Sequence, residues 1–254
     1  MISIIITNYN KEKFIFKCLN SLKKSVYKNY EIILFDDVSN DNSLKIINKF
    51  KKIRILINKK KKFESPALNQ INGIRKCLKY ARGKVVCFLD SDDFFNKHKL
   101  NLIDSYFNNH KNHSCVYNFP FASKKKFIFK NKINTNIWPT IFPTSCISIR
   151  KKILRQIFKK LRPNLHPYLE IDARINIFMK FYYDEYNIIN KKLTNYGEDN
   201  FGITSNIPRY SKKWWVRRYQ AYEYLQYVLK LKNKRLSWTF DRLITNLIYQ
   251  VAKY

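Results

Sequence analysis

Three aspartates, Asp90, Asp92 and Asp93, follow an apolar run at residues 85–89 in a chain with only 18 acidic residues. The run predicts a buried strand, and in extended backbone two side chains two positions apart point to the same side. Asp90 and Asp92 can therefore converge on one ligand, whereas we expect Asp93 to cap the following helix. Carboxylate oxygens suit hard cations, so this spacing predicts a site for Mn²⁺ or Mg²⁺ that leaves positions open for substrate phosphates.

Two further polar clusters follow apolar runs in the first half of the chain. Residues 3–6 run into a polar cluster at 7–10, and residues 31–35 run into another at 36–41. Helical patterns separate these runs, and alternating strands and helices predict a mostly parallel α/β sheet with helices on both faces. Ligands of such sheets bind outside the carboxyl ends of the strands. We therefore expect the three polar clusters to lie at one edge of the sheet.

The second half of the chain is less regular. Short strands are predicted at 115–119, 127–129 and 145–149, and helices at 151–161 and 169–183. In the C-terminal segment, aromatic and aliphatic residues recur at helical spacing and predict two amphipathic helices. Such stripes usually pack on a protein core, but Lys and Arg among aromatic residues also suit an anionic membrane surface, and both interpretations stay open.

The charge of the chain is extreme, because 50 Lys and Arg against 18 Asp and Glu give +32. This predicts an anionic partner, either nucleic acid, a phosphorylated substrate or an anionic membrane, although an AT-rich genome produces a similar lysine content. The hydrophobic fraction of 45% excludes a wholly disordered chain. Five scattered cysteines without a C-x-x-C pair predict reduced core thiols in a cytosolic protein. We expect neither a membrane span nor a signal peptide, since no apolar run is long enough and the N-terminus lacks a basic leader.

Three blocks, in this order and spacing, resemble the family 2 glycosyltransferases of the GT-A fold. They are ISIIITNYN at 2–10, EIILFDDVSND at 31–41 and ARGKVVCFLDSDD at 81–93. The resemblance is close over these blocks and looser in the second half of the chain. It implies a Rossmann-like, mostly parallel sheet flanked by helices. The last fifty residues are not covered by the resemblance, and their helical spacing predicts a helical extension at the C-terminus.

The resemblance and the helical spacing together imply two parts in the chain. A GT-A domain at 1–205 divides into a nucleotide-sugar-binding half at 1–107 and an acceptor-side half at 108–205, and a basic, aromatic helical extension follows at 206–254. The implied activity is transfer of a hexosyl or N-acetylhexosaminyl group from a nucleotide-sugar donor, UDP-sugar favoured, with inversion at the anomeric carbon. The implied acceptor is a hydroxyl of a glycan or lipid-linked molecule in bacterial cell-surface polysaccharide synthesis.

Residue by residue, the resemblance assigns the donor site. Thr7 and Tyr9 match positions that border the nucleotide base and ribose, and Asp36 matches the acid that hydrogen-bonds the base. Asp90 matches the residue near ribose and metal, and Asp92 matches the direct ligand of Mn²⁺ or Mg²⁺. The cation would act as a Lewis acid on the departing pyrophosphate.

The acceptor hydroxyl needs a general base, which the family supplies from an acid at the head of a helix in the second half. The matching segment is LEIDAR at 169–174, where Asp172 is the first candidate and Glu170 the second. Lying two positions apart at a helix start, they cannot both face the site, and acids there also favour the helix N-terminus electrostatically. Many relatives carry Tyr-Arg-x-His near the donor phosphates, where this chain has YGEDN at 196–200 and offers Asp199 as a further metal ligand.

The charge and the resemblance together predict the location and the partners. We expect a cytoplasmic protein, peripheral on the inner face of the cytoplasmic membrane, with an anionic membrane surface as a partner. One alternative is a basic nucleic-acid-binding protein, but acids clustered at one sheet edge repel phosphates and no nucleic-acid motif is present, so we expect no nucleic acid. The other alternative is an inactive GT-A protein that binds glycans or partners, which the altered segment at 196–200 favours.

Overall fold

The computed structural model describes residues 1–121, 141–197 and 207–252 of the chain. Within these residues, eight strands form one mixed sheet with helices on both faces, which confirms the predicted α/β class. The strands are β1 Ile2–Asn8, β2 Tyr30–Asp36, β3 Ile53–Ile57, β4 Val85–Asp90, β5 Phe94–Phe95, β6 Cys115–Phe121, β7 Ile147–Arg150 and β8 Tyr186–Asn195. The helices are α1 Glu12–Lys23, α2 Ser43–Ile47, α3 Pro66–Tyr80, α4 Lys99–Asn109, α5 Lys151–Lys160, α6 Ile171–Phe178, α7 Lys212–Lys230 and α8 Phe240–Ala252. The strand predicted at 127–129 lies outside the described residues.

The first half of the chain builds the parallel part of the sheet. β1 pairs in parallel with β2 on one side and β4 on the other, and β3 pairs in parallel with β2. These strands arise from nearly continuous apolar runs because helices cover both faces of the sheet. Since the strands are parallel, the carboxyl ends of β1, β2 and β4 meet at one edge.

The second half makes the sheet mixed. The sheet order is β3-β2-β1-β4-β7-β6-β8-β5, with β7 antiparallel to both β4 and β6. β8 pairs in parallel with β6 and antiparallel with the short β5. The single helix predicted at 169–183 is divided, because α6 ends at Phe178 and a π-helical turn follows at Met179–Tyr183.

Two hydrophobic layers form the core, one on each face of the sheet. Alternate residues of β1 divide between them, since Ile5 belongs to one layer and Ile4 and Ile6 belong to the other. Helices α3, α5, α6 and α7 cover the first layer, and α1, α2 and α4 cover the second. All five cysteines are buried and free, as predicted.

The two C-terminal helices differ in their packing. α7 enters the core through Tyr224, Leu225, Val228 and Leu229, whereas α8 packs against α7 and contributes no residue to either layer in the described part of the chain. The amphipathic pattern of α7 therefore reflects core packing. None of the helices described is long and apolar enough to cross a membrane.

Candidate active site

The register of the sheet brings the three polar clusters to one edge, as expected. Thr7 lies beside Phe35 on β2 and beside Asp90 on β4, and Asn8 lies beside Asp36. Polar side chains from three strands therefore share the edge where ligands of parallel sheets bind.

Asp90, Asp92 and Asp93 form the acidic cluster at this edge, and two hydrogen bonds hold Asp90 in it. Gln70 Nε2 donates a hydrogen bond to Asp90 Oδ1 at 3.0 Å, and the Asp90 backbone N–H donates to Ser145 Oγ at 2.8 Å. Burial raises the pKa of Asp90 well above its ordinary value, and the negative charges of Asp93 and Asp92 raise it further. The cluster therefore concentrates negative charge that a bound cation would relieve.

Asp92 pairs with a lysine that the sequence had not singled out. Lys11 Nζ lies 2.9 Å from Asp92 Oδ2, and the two side chains are only 13% and 16% exposed. Lys11 occupies the position before α1, where the chain leaves β1 and returns over the sheet edge. The ammonium group thus balances part of the charge of the acidic cluster.

The carboxylates of Asp90 and Asp92 fit Mn²⁺ or Mg²⁺ in donor chemistry and charge. In the three ranges that the structure describes, however, no three His, Cys, Asp or Glu side chains are arranged to hold a metal ion. Asp199, the further predicted metal ligand, lies outside the described residues.

Asp93 does not cap a helix, so that expectation was wrong. β5 follows it directly, α4 begins only at Lys99, and the Gly197 backbone N–H donates to Asp93 Oδ1 at 2.6 Å. Asp93 is buried, and within residues 1–121, 141–197 and 207–252 its Oδ2 has no hydrogen-bond partner. Burial, followed by the charge of Asp92, raises the pKa of Asp93 to about 7. The carboxyl group of Asp93 therefore tethers the end of β8 to the acidic cluster.

Gly197 explains the departure from the Tyr-Arg-x-His pattern. A Cβ atom at this position would lie 2.0 Å from the Asp92 carbonyl oxygen, so an arginine has no room here. Burial and then the charges of Asp93, Asp90 and Asp172 raise the pKa of the hydroxyl group of the preceding Tyr196. The segment therefore keeps the tyrosine of the pattern and lacks its arginine.

Asp172 lies in the first turn of α6. Its charge is among the lesser causes that raise the pKa of Asp90 and of Tyr196, after burial and the charges of other acids. Burial raises the pKa of Asp172 to about 7, and the charge of Glu170 is the second cause. Its side chain nevertheless keeps partial access to solvent. A carboxylate with this pKa accepts protons near neutral pH.

Glu170 has different neighbours. It is the residue before α6, and its Oε2 accepts a hydrogen bond from Arg217 Nε of α7 at 2.7 Å. The Glu170 side chain is 6% exposed, and among the described residues its Oε1 has no hydrogen-bond partner. Burial raises the pKa of Glu170, while the charge of Arg217 lowers it. Glu170 and Asp172 therefore have different neighbours, as expected for two acids that lie two positions apart at a helix start.

Lys99 is a further site residue without a sequence signal. It is fully buried, and its Nζ donates to the Ser145 carbonyl at 2.5 Å and to Thr194 Oγ1 at 2.9 Å. Burial lowers the pKa of Lys99 to about 8. Because Ser145 Oγ contacts the Asp90 backbone, Lys99 fixes the support behind the acidic cluster. A single lysine at a helix start is indistinguishable from a surface lysine in sequence.

Arg174 holds the segment that leads into α6. Its guanidinium group is fully buried and donates to backbone carbonyls, at 2.9 Å to Leu169 and 3.2 Å to Leu161, and also to that of His166. The carbonyl oxygens of this segment are thus gathered around one cation. This arrangement fixes the entry to α6, and with it the position of Asp172.

Asp36 is buried and engaged by its own chain. Its Oδ2 accepts from Asn8 Nδ2 at 2.8 Å and from Ser39 Oγ at 2.7 Å, and its Oδ1 accepts from the Ser39 backbone N–H at 2.9 Å. The next residue, Asp37, accepts one hydrogen bond on Oδ1 from Asn58 Nδ2 at 2.9 Å. In the described part of the chain, Asp37 Oδ2 receives none, so Asp37 retains more capacity for a ligand than Asp36.

The remaining predicted donor residues lie beside this turn. Tyr9 is 42% exposed, and Lys61 Nζ lies 3.6 Å above its ring centroid. Thr7 is half-buried between its neighbours on β2 and β4. Lys61 itself stays exposed, so this cation–π contact lies at the surface of the protein.

Comparison with known proteins adds the family. The family model described as glycosyl transferase family 2 matches residues 3–225. WfaP of Escherichia coli, a UDP-Glc:alpha-D-GlcNAc-diphosphoundecaprenol beta-1,3-glucosyltransferase, is 41% identical over 39% of this chain and 38% of WfaP. TarS of Staphylococcus aureus, a poly(ribitol-phosphate) beta-N-acetylglucosaminyltransferase, is 34% identical over 45% of this chain and 20% of TarS. The matched segments therefore span less than half of each curated relative.

Solved structures show the same fold. The structure of TarS 1–349 with UDP-GlcNAc has a TM-score of 0.67, covering 99% of this chain and 79% of that one, at 18% identity. The mannosyltransferase PcManGT of Pyrobaculum calidifontis, with GDP-Man and Mn²⁺, has a TM-score of 0.60, covering 98% and 68%, at 11% identity. The GT-A fold implied by the three sequence blocks is thus confirmed. Together, the match over residues 3–225 and the shared fold show that the chain belongs to glycosyl transferase family 2.

Proposed function

We propose that this protein transfers a sugar from a nucleotide-sugar donor, UDP-sugar favoured, to an acceptor hydroxyl with inversion at the anomeric carbon. The observation that carries the proposal is the meeting of Thr7, Asp36 and Asp90 at the carboxyl edge of the parallel strands, where the charge of Asp172 also helps to raise the pKa of Asp90. Sugar transfer needs a proton acceptor and a centre that stabilises a departing diphosphate, and this edge offers both.

In the proposed reaction, Asp172 accepts the proton of the acceptor hydroxyl group. The acceptor oxygen forms a bond to the anomeric carbon as the bond from that carbon to the diphosphate oxygen breaks, and the electron pair leaves with the nucleoside diphosphate. Attack opposite to the leaving group inverts the anomeric centre. A pKa of about 7 makes the Asp172 carboxylate a stronger base than an ordinary aspartate, yet it remains ionised in part at neutral pH.

The diphosphate end of the donor would lie against Asp92, Asp90 and Lys11. Asp92 and Asp90 would hold Mn²⁺ or Mg²⁺, which supplies Lewis-acid stabilisation of the departing diphosphate. Lys11, 2.9 Å from Asp92, adds a positive charge at the same place. Asp199 remains a proposed additional ligand. Burial, and then the charges of Asp93 and Asp92, raise the pKa of Asp90, and this supports cation binding because a cation would favour the ionised carboxylate.

The nucleoside would lie over the ends of β1 and β2, where Thr7 and Tyr9 border it. Asp36 remains a proposed base-recognition residue, but Asn8 and Ser39 already engage both of its oxygens. We therefore include Asp37 as a second candidate for the hydrogen bond to the base. In this arrangement Asp36 holds the turn and Asp37 contacts the ligand.

For the acceptor, we propose a glycan or lipid-linked hydroxyl in bacterial cell-surface polysaccharide synthesis. The support comes from WfaP, whose name specifies a diphosphoundecaprenol-linked acceptor, and from TarS, whose name specifies a poly(ribitol-phosphate). Both names also specify hexose-type sugars, which supports a hexosyl or N-acetylhexosaminyl donor. A lipid-linked acceptor would place the protein at the inner face of the cytoplasmic membrane.

Isothermal titration with UDP and with GDP, each with and without Mn²⁺, tests the donor site. We expect UDP to bind more tightly than GDP, and Mn²⁺ to strengthen the binding. Asp92→Asn should remove the Mn²⁺ effect, while Asp104→Asn, an acid on α4 that bonds Tyr27, serves as a matched control. If neither nucleotide binds under any condition, the proposed function is wrong.

A further inference from the structure

Helix α8 is attached to the protein through its polar side. Arg218 of α7 contacts both carboxylate oxygens of Asp241 at 2.5 Å, and its Nε donates to Thr245 Oγ1 at 3.2 Å. The Tyr219 ring stacks on the Tyr249 ring with centroids 3.7 Å apart. The face of α8 that meets the protein thus consists of an acid, a hydroxyl group and a phenol.

The opposite side of α8 is apolar and uncovered. Phe240, Leu247 and Val251 are 77%, 60% and 80% exposed, and their spacing of seven and four places them on one face of the helix. Trp238, just before the helix, is 72% exposed. We call these four residues the α8 stripe. A surface helix normally turns its apolar side to the core, whereas α8 turns it outward.

Cations stand at both ends of the α8 stripe. α7 and α8 run antiparallel, since Tyr219 early in α7 meets Tyr249 late in α8, and Gln226 later in α7 accepts a hydrogen bond from Arg242 early in α8. The exposed residues Lys232, Lys234 and Arg235 occupy the turn before the stripe, and the exposed Lys212 and Lys213 open α7 at the far end of the hairpin. The net charge of the whole chain, +32, is positive as well.

An apolar helix face between clusters of Lys and Arg matches the surface of an anionic bilayer. The apolar side chains enter the boundary between headgroups and acyl chains, and the cations remain at the level of the lipid phosphates. The pairing of Asp241 with Arg218 removes one negative charge that would otherwise oppose this contact. The charge pattern therefore favours anionic phospholipid over an uncharged apolar partner.

We infer that the α8 stripe binds the surface of a membrane that contains anionic phospholipids. The inference deepens the proposed function and rests on it only for the lipid-linked acceptor. α7 carries α8 on one side and contacts Glu170 through Arg217 on the other. A membrane-bound α8 therefore holds the acceptor side of the site close to the lipid.

Vesicle sedimentation tests this inference with the full chain. The probes are vesicles of phosphatidylcholine alone and vesicles that also contain phosphatidylglycerol, at low and high salt. The test variant is Leu247→Glu with Val251→Glu, which alters only exposed side chains of the stripe. The matched control is Phe16→Glu with Val26→Glu, which makes the same charge change at residues that are 57% and 49% exposed elsewhere.

We expect the wild type and the control to bind the anionic vesicles, with weaker binding at high salt, and the test variant to bind at least about tenfold more weakly. Equal binding of test variant and wild type, or no binding of wild type, overturns the inference. Sedimentation velocity without lipid detects a second copy on the stripe, and dimerisation that the test variant abolishes overturns it as well. UDP titration of the same variants separates the two proposals, because vesicle binding without UDP binding contradicts only the proposed function.

Discussion

Arg217 Nε lies 2.7 Å from Glu170 Oε2, so a side chain of α7 neutralises the acid that immediately precedes α6. The acid is 6% exposed and the arginine 30%. The pair joins α7 to the start of α6, the helix that carries Asp172. A helix remote from the strand ends in sequence is therefore part of the site.

Arg217→Met should destabilise the protein by about 2–3 kcal/mol, because it leaves a buried carboxylate without its cation. We place the value at the low end of buried pairs since Arg217 is 30% exposed. Urea denaturation measures the change. The double variant Glu170→Gln with Arg217→Met should recover part of the loss, whereas strictly additive losses would show that the pair is not coupled.

Asp172→Asn should lower kcat by about 10²- to 10⁴-fold while UDP affinity stays unchanged, since the amide cannot accept the proton. Glu170→Gln should affect kcat less, because Glu170 faces Arg217. Turnover with release of UDP measures both. Wild-type turnover in Asp172→Asn, with loss in Glu170→Gln, would transfer the role of base to Glu170.

The activity should decline as pH falls through about 7, the value to which burial raises the pKa of Asp172. The same shift has a stability consequence of defined sign. A carboxyl group with a raised folded-state pKa favours the native state most at low pH, and this contribution is lost as pH rises through about 7. Asp172→Asn should therefore gain stability relative to the wild type between pH 5 and pH 8, and urea denaturation at both pH values measures this. A constant difference would mean that Asp172 titrates normally.

Gly197→Ala should weaken UDP binding in the presence of Mn²⁺, because the added Cβ would lie 2.0 Å from the Asp92 carbonyl oxygen and must displace the acidic cluster. Gly83→Ala is the steric control, since its Cβ would lie 2.5 Å from the Ser3 backbone nitrogen at the opposite end of β1. We expect the control to lower thermal stability without altering the UDP affinity of the folded protein. Equal UDP affinities of Gly197→Ala and wild type would contradict the proposed role of this segment.

We expect Asp36→Asn to change mainly the stability of the protein and Asp37→Asn to change mainly its affinity for UDP. Asp36→Asn places an amide group against the donors of Asn8 and Ser39, and we expect a loss of about 1–3 kcal/mol in unfolding free energy. Asp37→Asn should leave stability nearly unchanged and weaken UDP binding. Denaturation and titration on the same samples distinguish the two, and unchanged UDP affinity in Asp37→Asn would return base recognition to Asp36.

The parts of the fold that sequence predicts well are those set by local pattern. Apolar runs marked β1, β2 and β4, and the parallel arrangement brought their polar ends together at one edge. β8 went unpredicted because Lys191 and Lys192 interrupt its pattern and only Leu193 and Thr194 in it are buried. Its position depends on pairing with β6 and β5, which are distant in the chain.

The site residues divide in the same way, into those that the local sequence predicts and those that only the fold reveals. Asp172 and Asp90 were predicted from the segments that resemble the family, and the charge of Asp172 contributes to the raised pKa of Asp90. Lys11, Lys99 and Arg217 contribute through contacts with residues far away in sequence, and no local pattern distinguishes them from surface cations. The chain has 50 Lys and Arg residues, and only the fold shows which of them contact the site.

The packing of α7 has a consequence for where this protein can be shortened. A chain that ended before Lys212 would lack Tyr224 and Leu225, which belong to the first core layer. It would also leave Glu170 without Arg217. A chain that ended after the turn at Lys232 would retain both and lose only α8. The smallest piece that we expect to fold with an intact acceptor side therefore includes α7, and we expect removal of α8 to leave both core layers in place.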